Sequence, residues 1–170
     1  MSTCKTCELV ARRAAGAAPL WDCIYQTQYW DLAHCYDSAL PGWLVLIARR
    51  HIAAVDELTE VEAVELGQLI RRTSIALKEV TGCIKTYVLQ FAESPDHPHV
   101  HFHIIPRMVD LPDEFKSILI FKYIGVPEEM RVSEEVMNSI AAKVRALLQA
   151  SQSSNNIASS ANASPHPART

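Results

Sequence analysis

Hydrophobic and polar positions along the chain switch between strand-like and helix-like patterns. The segment LWDCIYQTQYWDLAHC predicts two short strands around a polar turn at 26–28, and the apolar run GWLVLIA (42–48) predicts a buried strand. The segments IKTYVLQFA (84–92) and HVHFHII (99–105) predict two further strands, since both are rich in β-branched and aromatic residues. The sheet is therefore expected to combine strands from the first half of the chain with strands from residues 84–105.

Two other segments carry apolar residues at helical spacing. The first has Thr59 at its N-cap position and Glu62 three residues later, which is the capping-box pattern, and it ends at Gly82. The second runs from an N-cap at Ser133 to Leu148. The order of strands, helix, strands and helix predicts an α+β domain. Its sheet is mainly antiparallel, with the long central helix on one face and a C-terminal helix.

The composition limits the number of domains and the class of partner. The chain has 170 residues, 49% of them hydrophobic, which suits one domain with its own core, predicted over residues 1–148. Residues 149–170 are rich in Ser, Asn, Ala and Pro and are predicted to be a disordered tail. The net charge of -3 argues against a stable nucleic-acid partner.

The same composition bears on location. No apolar run is long enough to cross a membrane, and the N-terminal MSTCKTCELVARR lacks the apolar core of a signal peptide. Five cysteines, an odd number, fit a reducing compartment better than a disulfide framework. A cytoplasmic protein without a membrane partner is expected.

Three of the seven histidines alternate with apolar residues in HVHFHII. On a strand, successive side chains point to opposite faces, so one face carries only imidazoles and the other is apolar. The apolar set is Val100, Phe102 and Ile104, and the imidazole set is His99, His101 and His103. Three neutral imidazoles buried without partners would be costly, so they are expected to line a pocket or to be held by hydrogen bonds or metal.

The pattern His-hydrophobic-His-hydrophobic-His-hydrophobic-hydrophobic resembles the signature of the histidine-triad (HIT) family of nucleotide hydrolases and transferases. HVHFHII matches it at every position. The segment GWLVLIARRHIAAVDELTEVE resembles the family's strand, basic stretch, His and long helix, and CKTCELVAR resembles the opening of many bacterial members. The resemblance covers residues 4–107 and implies a HIT-like fold, a nucleotide substrate and a homodimer.

The resemblance also implies a role for each histidine of the triad, with His99 as its first member. His101 would be the nucleophile that attacks the α-phosphate of a (di)nucleoside polyphosphate or a nucleoside phosphoramidate, and water would cleave the nucleotidyl-histidine product. A neutral imidazole suits this role, and in the family a backbone carbonyl holds the proton of its other nitrogen. His103 would bind phosphate or the neighbouring histidine.

Two stretches depart from the family pattern. Trp43 stands where most members have a histidine of the hydrogen-bond network, and Ser94 to His97 replace a Gly-Gln-Ser-Val stretch near the phosphates. Ser94 is expected to substitute in part for the missing residues. His97 either protonates a leaving group or is a surface residue, and Gln90 either touches phosphate or is an exposed amide. All three are predicted substrate-binding residues.

The spacing Cys4-Lys-Thr-Cys7 is typical of two of the four ligands of a zinc site. By itself it is compatible with three interpretations: zinc ligands, free thiols or redox chemistry. The resemblance favours zinc. In family members with this motif, the metal takes the two cysteines, the histidine after the basic stretch and the first histidine of the triad. The corresponding residues are Cys4, Cys7, His51 and His99. Such a closed set implies a structural zinc.

Two rival functions remain open from the sequence. His-x-His on a strand also chelates catalytic metals that activate water, which would make the protein a metal-dependent hydrolase. The other rival is a nucleotide-binding protein without turnover, in line with Trp43 at the position of the usual histidine.

Overall fold

A five-stranded antiparallel sheet forms the centre of the structure, a computed structural model that describes residues 4–161. The strands are β1 (Tyr25–Gln26), β2 (Trp30–His34), β3 (Leu44–Ala48), β4 (Lys85–Leu89) and β5 (His101–Arg107), in the spatial order β1-β2-β3-β5-β4. The helices are α1 (Lys5–Ala14), α2 (Glu60–Thr81) and α3 (Glu134–Ala161). Within the described residues, no helix combines the length and apolar character that crossing a membrane requires. The predicted α+β class is confirmed.

Helix α2 begins and ends as the sequence predicts. The hydroxyl of Thr59 accepts a hydrogen bond from the Glu62 backbone N–H, and the Glu62 carboxylate accepts one from the Thr59 backbone N–H at 2.8 Å. This capping box supplies partners for N–H groups that the first helical turn leaves free. Gly82 ends the helix at a φ of 71°, a left-handed conformation that favours glycine.

One face of the sheet packs against α2 and α3 and holds the larger hydrophobic core. Val100 and Ile104 are fully buried in that core and Phe102 packs against it, so the predicted apolar side of the histidine strand is confirmed. Strands β2 and β3 contribute their alternate residues to the same core: Trp30, Leu32, Leu44 and Leu46.

The opposite face of the sheet is covered by α1 and by a segment after β5. That segment contains two short 3-10 helices, Asp113–Phe115 and Ser117–Tyr123, and places Ile120 in a second, smaller core with Trp43 and Ile105. The space between α1, this segment and the sheet is where the functional residues gather.

Helix α3 continues past the domain boundary predicted at residue 148. Arg72 of α2 donates hydrogen bonds to the Leu148 carbonyl at 2.6 Å and to the Ser151 hydroxyl at 3.1 Å. These bonds hold the first residues of the predicted tail as helix against α2, and the helix runs to Ala161. Residues 162–170 of that tail lie outside the described residues, so the division of the chain into a domain and a disordered tail stays a prediction.

Candidate active site

The register of the sheet places two histidines of the triad on the face that α1 covers. His101 pairs with Ile47, which pairs with Asp31, and in the next row His103 pairs with Val45. Residues that pair across neighbouring strands share a face of the sheet. Ala33 completes the second row beside Val45. All of these residues except Asp31 form the floor of a cleft.

The cleft has a volume of about 410 Å³. Its walls come from α1, from the loop between β4 and β5, and from the segment after β5. Side chains on these walls include Thr6, Leu9, Arg13, Phe91 and Phe121, and Tyr36 of the connection between β2 and β3 also lines the cleft. A cavity of this size, with an apolar floor and a few polar groups, is typical of small-molecule sites.

His101 is half-buried in this cleft, and its Nδ1 lies 2.7 Å from the carbonyl oxygen of His99. A carbonyl only accepts hydrogen bonds, so Nδ1 carries the proton and Nε2 keeps its lone pair. Within the described residues, no hydrogen bond engages Nε2. Burial lowers the pKa of His101 below its ordinary value, and this favours the neutral ring. The arrangement suits a nucleophile that attacks through Nε2.

His103 is buried beside His101, and the two ring centroids are 4.9 Å apart. The indole N–H of Trp43 donates a hydrogen bond to Nδ1 of His103 at 3.0 Å. Nδ1 is therefore the unprotonated nitrogen, and Nε2 of His103 carries a proton. Burial lowers the pKa of His103 to about 3. Trp43 thus fills the position of the missing histidine with a different hydrogen-bond donor.

The three predicted substrate-binding residues occupy different places. Ser94 and His97 line the cleft. Nδ1 of His97 lies 2.8 Å from the Thr6 hydroxyl, and its Nε2 lies 3.3 Å from the Tyr36 hydroxyl. Gln90 follows the last residue of β4 and is not among the residues that line the cleft.

The predicted metal ligands come together beside the cleft. One ligand atom from each of Cys4, Cys7, His51 and His99 lies within 4.8 Å of the others. Among the described residues, these four side chains form the group that could bind a metal ion. Nδ1 of His99 lies 3.7 Å from the Cys4 sulfur, 3.5 Å from the Cys7 sulfur and 3.3 Å from His51 Nδ1. The Cys7 sulfur is 3.3 Å from His51 Nδ1.

These distances fit a tetrahedral zinc ion. Ligands bound at about 2.0–2.3 Å in a tetrahedron lie roughly 3.3–3.8 Å from one another. Nε2 of His99 lies 2.7 Å from the Ala48 carbonyl, to which its N–H donates. Such a second bond is usual for a metal-binding histidine, because it fixes the tautomer and the orientation of the ring. The donor set is compatible with zinc held by two sulfurs and two nitrogens.

Helix α1 adds an arginine to the cleft that the sequence did not single out. Arg13 is 4% exposed and lines the cleft with Asp22, whose carboxylate accepts a hydrogen bond from Arg13 Nη2 at 2.6 Å. The chain carries 16 Lys and Arg residues, and nothing in their spacing distinguishes Arg13 from the neighbouring Arg12. Only the packing of α1 on the sheet separates the two.

Comparison with known proteins agrees with this fold. The model of the HIT domain family matches residues 21–109 of the chain. Curated protein sequences gave no match.

Several solved structures are similar to the whole domain. A Zn-bound histidine triad family protein from Mycobacterium smegmatis aligns with a TM-score of 0.62 at 16% identity, covering 89% of this chain and 96% of that one. A Hit-like protein from Bartonella henselae aligns with a TM-score of 0.60 at 19% identity, over 81% and 93% of the two chains. A histidine triad protein from Bradyrhizobium japonicum gives a TM-score of 0.60 at 25% identity, over 74% and 88%.

Proposed function

The chain belongs to the HIT domain family, and from this premise we propose that it is a nucleotide hydrolase or nucleotidyl transferase that works through His101. The observation that carries the proposal is the bond from His101 Nδ1–H to the His99 carbonyl, which leaves Nε2 as a free nucleophile in a cleft of about 410 Å³. The substrate class is a (di)nucleoside polyphosphate or a nucleoside phosphoramidate.

The first step forms a covalent intermediate. The lone pair of His101 Nε2 attacks the α-phosphorus, and a P–N bond forms while the bond from phosphorus to the leaving group breaks. The leaving group departs with the electron pair of the broken bond. The His99 carbonyl stabilises the positive charge that develops on the ring, because it accepts the Nδ1–H hydrogen bond. Ser94 and His97 are the proposed contacts to the substrate at the cleft wall.

The second step returns the free enzyme. The oxygen of a water molecule, or the hydroxyl of an acceptor in the transferase case, attacks the same phosphorus and releases its proton to the solvent. The P–N bond then breaks, and its electron pair returns to Nε2. The products of hydrolysis are a nucleoside monophosphate and the neutral His101. His103, whose Nε2–H is fixed by the bond from Trp43, is the proposed donor to a phosphate oxygen in both steps.

A zinc ion in the group of Cys4, Cys7, His51 and His99 has a structural part in this proposal. Cys4, Cys7, His51 and His99 would hold the ion with no open coordination position, so it would supply a cross-link between α1, the residues after β3 and the segment before β5. The rival in which His-x-His holds a catalytic metal gains no support, since neither His101 nor His103 belongs to the metal-binding group among the described residues.

We further propose that two copies of the chain form a homodimer. Strand β4 is an outer strand of the sheet, and its Val88 side chain is 39% exposed. An outer strand with unpaired backbone groups is suited to pairing with a second chain. Light scattering on the purified protein tests this, with Val88→Lys as the variant expected to shift the mass toward that of one chain.

A cytoplasmic location completes the proposal. All five cysteines are free in the structure, which supports the reducing compartment expected from their odd number. Fractionation of cells that produce the full chain tests it.

The test of the proposed function is detection of the covalent intermediate. The protein is mixed with adenine and guanine dinucleotides and nucleoside phosphoramidates, quenched in alkali and measured by intact mass. Wild type is expected to gain the mass of one nucleotidyl group, and His101→Ala is expected to gain none. An adduct that persists in His101→Ala would overturn the assignment of the nucleophile. Tight nucleotide binding with no adduct and no product would favour the rival without turnover.

His34→Gln is the matched control for that experiment. His34 lines the same cleft and is buried, but both of its ring nitrogens are engaged. Nδ1 lies 2.8 Å from the Cys35 carbonyl, and Nε2 accepts a hydrogen bond from the Gly42 N–H at 3.0 Å. His34 therefore lacks a free nitrogen for attack, and its variant is expected to form the adduct.

A further inference from the structure

The ring of His103 is held in one protonation state by Trp43. An indole N–H is only a donor, and here it donates to Nδ1 of His103 at 3.0 Å. A second proton on the ring would have to sit on Nδ1, where it would meet the indole N–H and break this bond. The proton on Nε2 is not given up either, because its loss would leave a buried imidazolate anion. His103 therefore donates a hydrogen bond to a ligand without transferring a proton to it.

His34 and His101, which also line the cleft, are fixed in a similar way. Both ring nitrogens of His34 are engaged by backbone groups: a carbonyl accepts from Nδ1 at 2.8 Å, and an amide N–H donates to Nε2 at 3.0 Å. The Nδ1–H of His101 is held by the His99 carbonyl at 2.7 Å, and Nε2 is the atom that attacks. Neither ring has a proton to offer to a leaving group.

His97 completes the histidines that line the cleft among the described residues. Its Nδ1 lies 2.8 Å from the hydroxyl of the buried Thr6, and its Nε2 lies 3.3 Å from the Tyr36 hydroxyl. Protein hydroxyls thus occupy both nitrogens, so neither is free to protonate a leaving group. Burial raises the pKa of the Tyr36 phenol and that of the Cys35 thiol, which makes both of them weaker proton donors than usual.

We infer that the protein cleaves substrates whose leaving group departs as a stable anion, and that Trp43 sets this preference because it binds His103 through a donor that exchanges no proton. The inference rests on the proposed function and selects between its two substrate classes. In a phosphoric anhydride, the P–O bond breaks and the polyphosphate leaves with the electron pair as an anion that needs no proton. In a phosphoramidate, the P–N bond breaks and the amine nitrogen needs a proton in order to leave. Dinucleoside polyphosphates are therefore the expected substrates.

The test changes only the leaving group. The 4-nitrophenyl and phenyl esters of AMP share the nucleotidyl group, and nitrophenolate is a much weaker base than phenolate, whose pKa is about 10 like that of tyrosine. Release of each phenol is measured in a single turnover with the full chain in excess. A general acid typically contributes about 10²–10⁴-fold, so wild type without one is expected to release nitrophenol at least about a hundredfold faster than phenol. Diadenosine tetraphosphate is expected to exceed adenosine 5′-phosphoramidate in the same direction.

Trp43→His is expected to narrow the ratio of the two phenol rates to about tenfold or less, because a second titratable ring beside His103 takes up a proton and passes it on. Trp43→Phe is the matched control. It removes the same indole N–H but brings no group that supplies a proton, so both rates are expected to fall while their ratio stays as in wild type. A merely structural role of Trp43 would lower both rates in both variants and leave the ratio unchanged.

The outcomes separate this inference from the proposed function. Similar rates for the two esters in wild type overturn the inference, since a proton donor would then be present, and a selective loss of the phenyl rate in His97→Gln would identify that donor. A ratio in Trp43→His equal to that of wild type overturns the part assigned to Trp43. If Trp43→His fails to fold, the ratio in wild type still decides the substrate class. A protein that releases neither phenol and forms no adduct overturns the proposed function itself.

Discussion

His99 and His101 are joined through the backbone: the carbonyl oxygen of His99 lies 2.7 Å from Nδ1 of His101. The imidazole of the same His99 points its Nδ1 at the two cysteines and His51. One residue therefore contributes its side chain to the candidate metal group and its carbonyl to the candidate nucleophile. Any interaction that holds the His99 backbone in place therefore also keeps the proton of His101 on Nδ1.

Removal of the metal is predicted to disturb both the N-terminal helix and the nucleophile. Cys4→Ser/Cys7→Ser removes two of four ligands, so the zinc content is expected to drop from about one per chain to none. Without the cross-link, α1 is held to the triad segment mainly by contacts of Lys5 and Thr6, such as the exposed ion pair between Lys5 and Asp96. Elemental analysis measures the metal, and hydrogen exchange of the α1 amides measures the loosening.

Cys23→Ser is the control for the metal prediction. Cys23 is a free cysteine that lies outside the metal-binding group. The variant is expected to keep the zinc and the protection of α1. Equal zinc contents in wild type and Cys4→Ser/Cys7→Ser would contradict the assignment of the ligands.

The indole N–H of Trp43 is predicted to contribute more to stability than that of Trp21. Trp43→Phe leaves the buried Nδ1 of His103 without its donor, which costs about 1–3 kcal/mol beyond the loss of ring volume. Trp21→Phe removes a similar volume at a buried site, but the Trp21 indole N–H has no hydrogen-bond partner among residues 4–161. Thermal unfolding of both variants measures the difference. Similar losses of stability in the two variants would show that the hydrogen bond from Trp43 to His103 does not contribute to stability.

Much of the fold could be predicted from the spacing of apolar residues, because the strands and helix α2 each place apolar residues on one face at regular intervals. The alternation around Phe102 and the capping box at Thr59 are local signals, and local rules are enough to interpret them. The cluster of four zinc-type ligands was expected from the family resemblance, which links residues far apart in the sequence.

The walls of the cleft were not predictable in the same way. Helix α1 is short, and its buried residues, Thr6 and Arg13, are polar, so hydrophobic periodicity does not identify the face that it turns toward the cleft. The contact between Trp43 and His103 joins β3 to β5 through side chains 60 positions apart. Both features depend on tertiary packing, which overrides the preferences of short segments.

Two glycines of helix α2 and its cap are predicted to respond in opposite directions to alanine. Gly67 lies inside the helix, and a Cβ added there meets nothing within 4 Å. Gly67→Ala is therefore expected to stabilise the protein by up to about 1 kcal/mol. Gly82→Ala also has open space, but its φ of 71° strains any residue with a Cβ, so a loss of about 1 kcal/mol is expected. Chemical denaturation measures whether each substitution raises or lowers the free energy of unfolding.

Stability is predicted to fall as the pH drops below about 6.5, before the carboxylates titrate. Burial lowers the pKa of His34 to about 4 and that of His103 to about 3. In the unfolded chain these rings take up protons near pH 6.5, so protonation favours the unfolded state between pH 6.5 and the folded pKa values. At pH 5 each ring lowers the free energy of unfolding by about 2 kcal/mol relative to pH 7.

His34→Gln isolates one ring in this measurement, because the amide does not titrate. Its unfolding free energy is expected to fall between pH 6.5 and 5 with an average slope smaller than that of wild type by about 1 kcal/mol per pH unit. The difference approaches about 1.4 kcal/mol per pH unit, the value for one proton, toward pH 5. Glu62→Gln is the control. Its partner Arg50 lowers the pKa of Glu62 to about 2, so that carboxylate loses its contribution only as the pH falls below about 4.5. The slope of Glu62→Gln between pH 6.5 and 5 should equal that of wild type. A His34→Gln slope identical to wild type would mean that the ring is protonated in the folded protein as readily as in the unfolded chain, contrary to its burial between the Cys35 carbonyl and the Gly42 N–H.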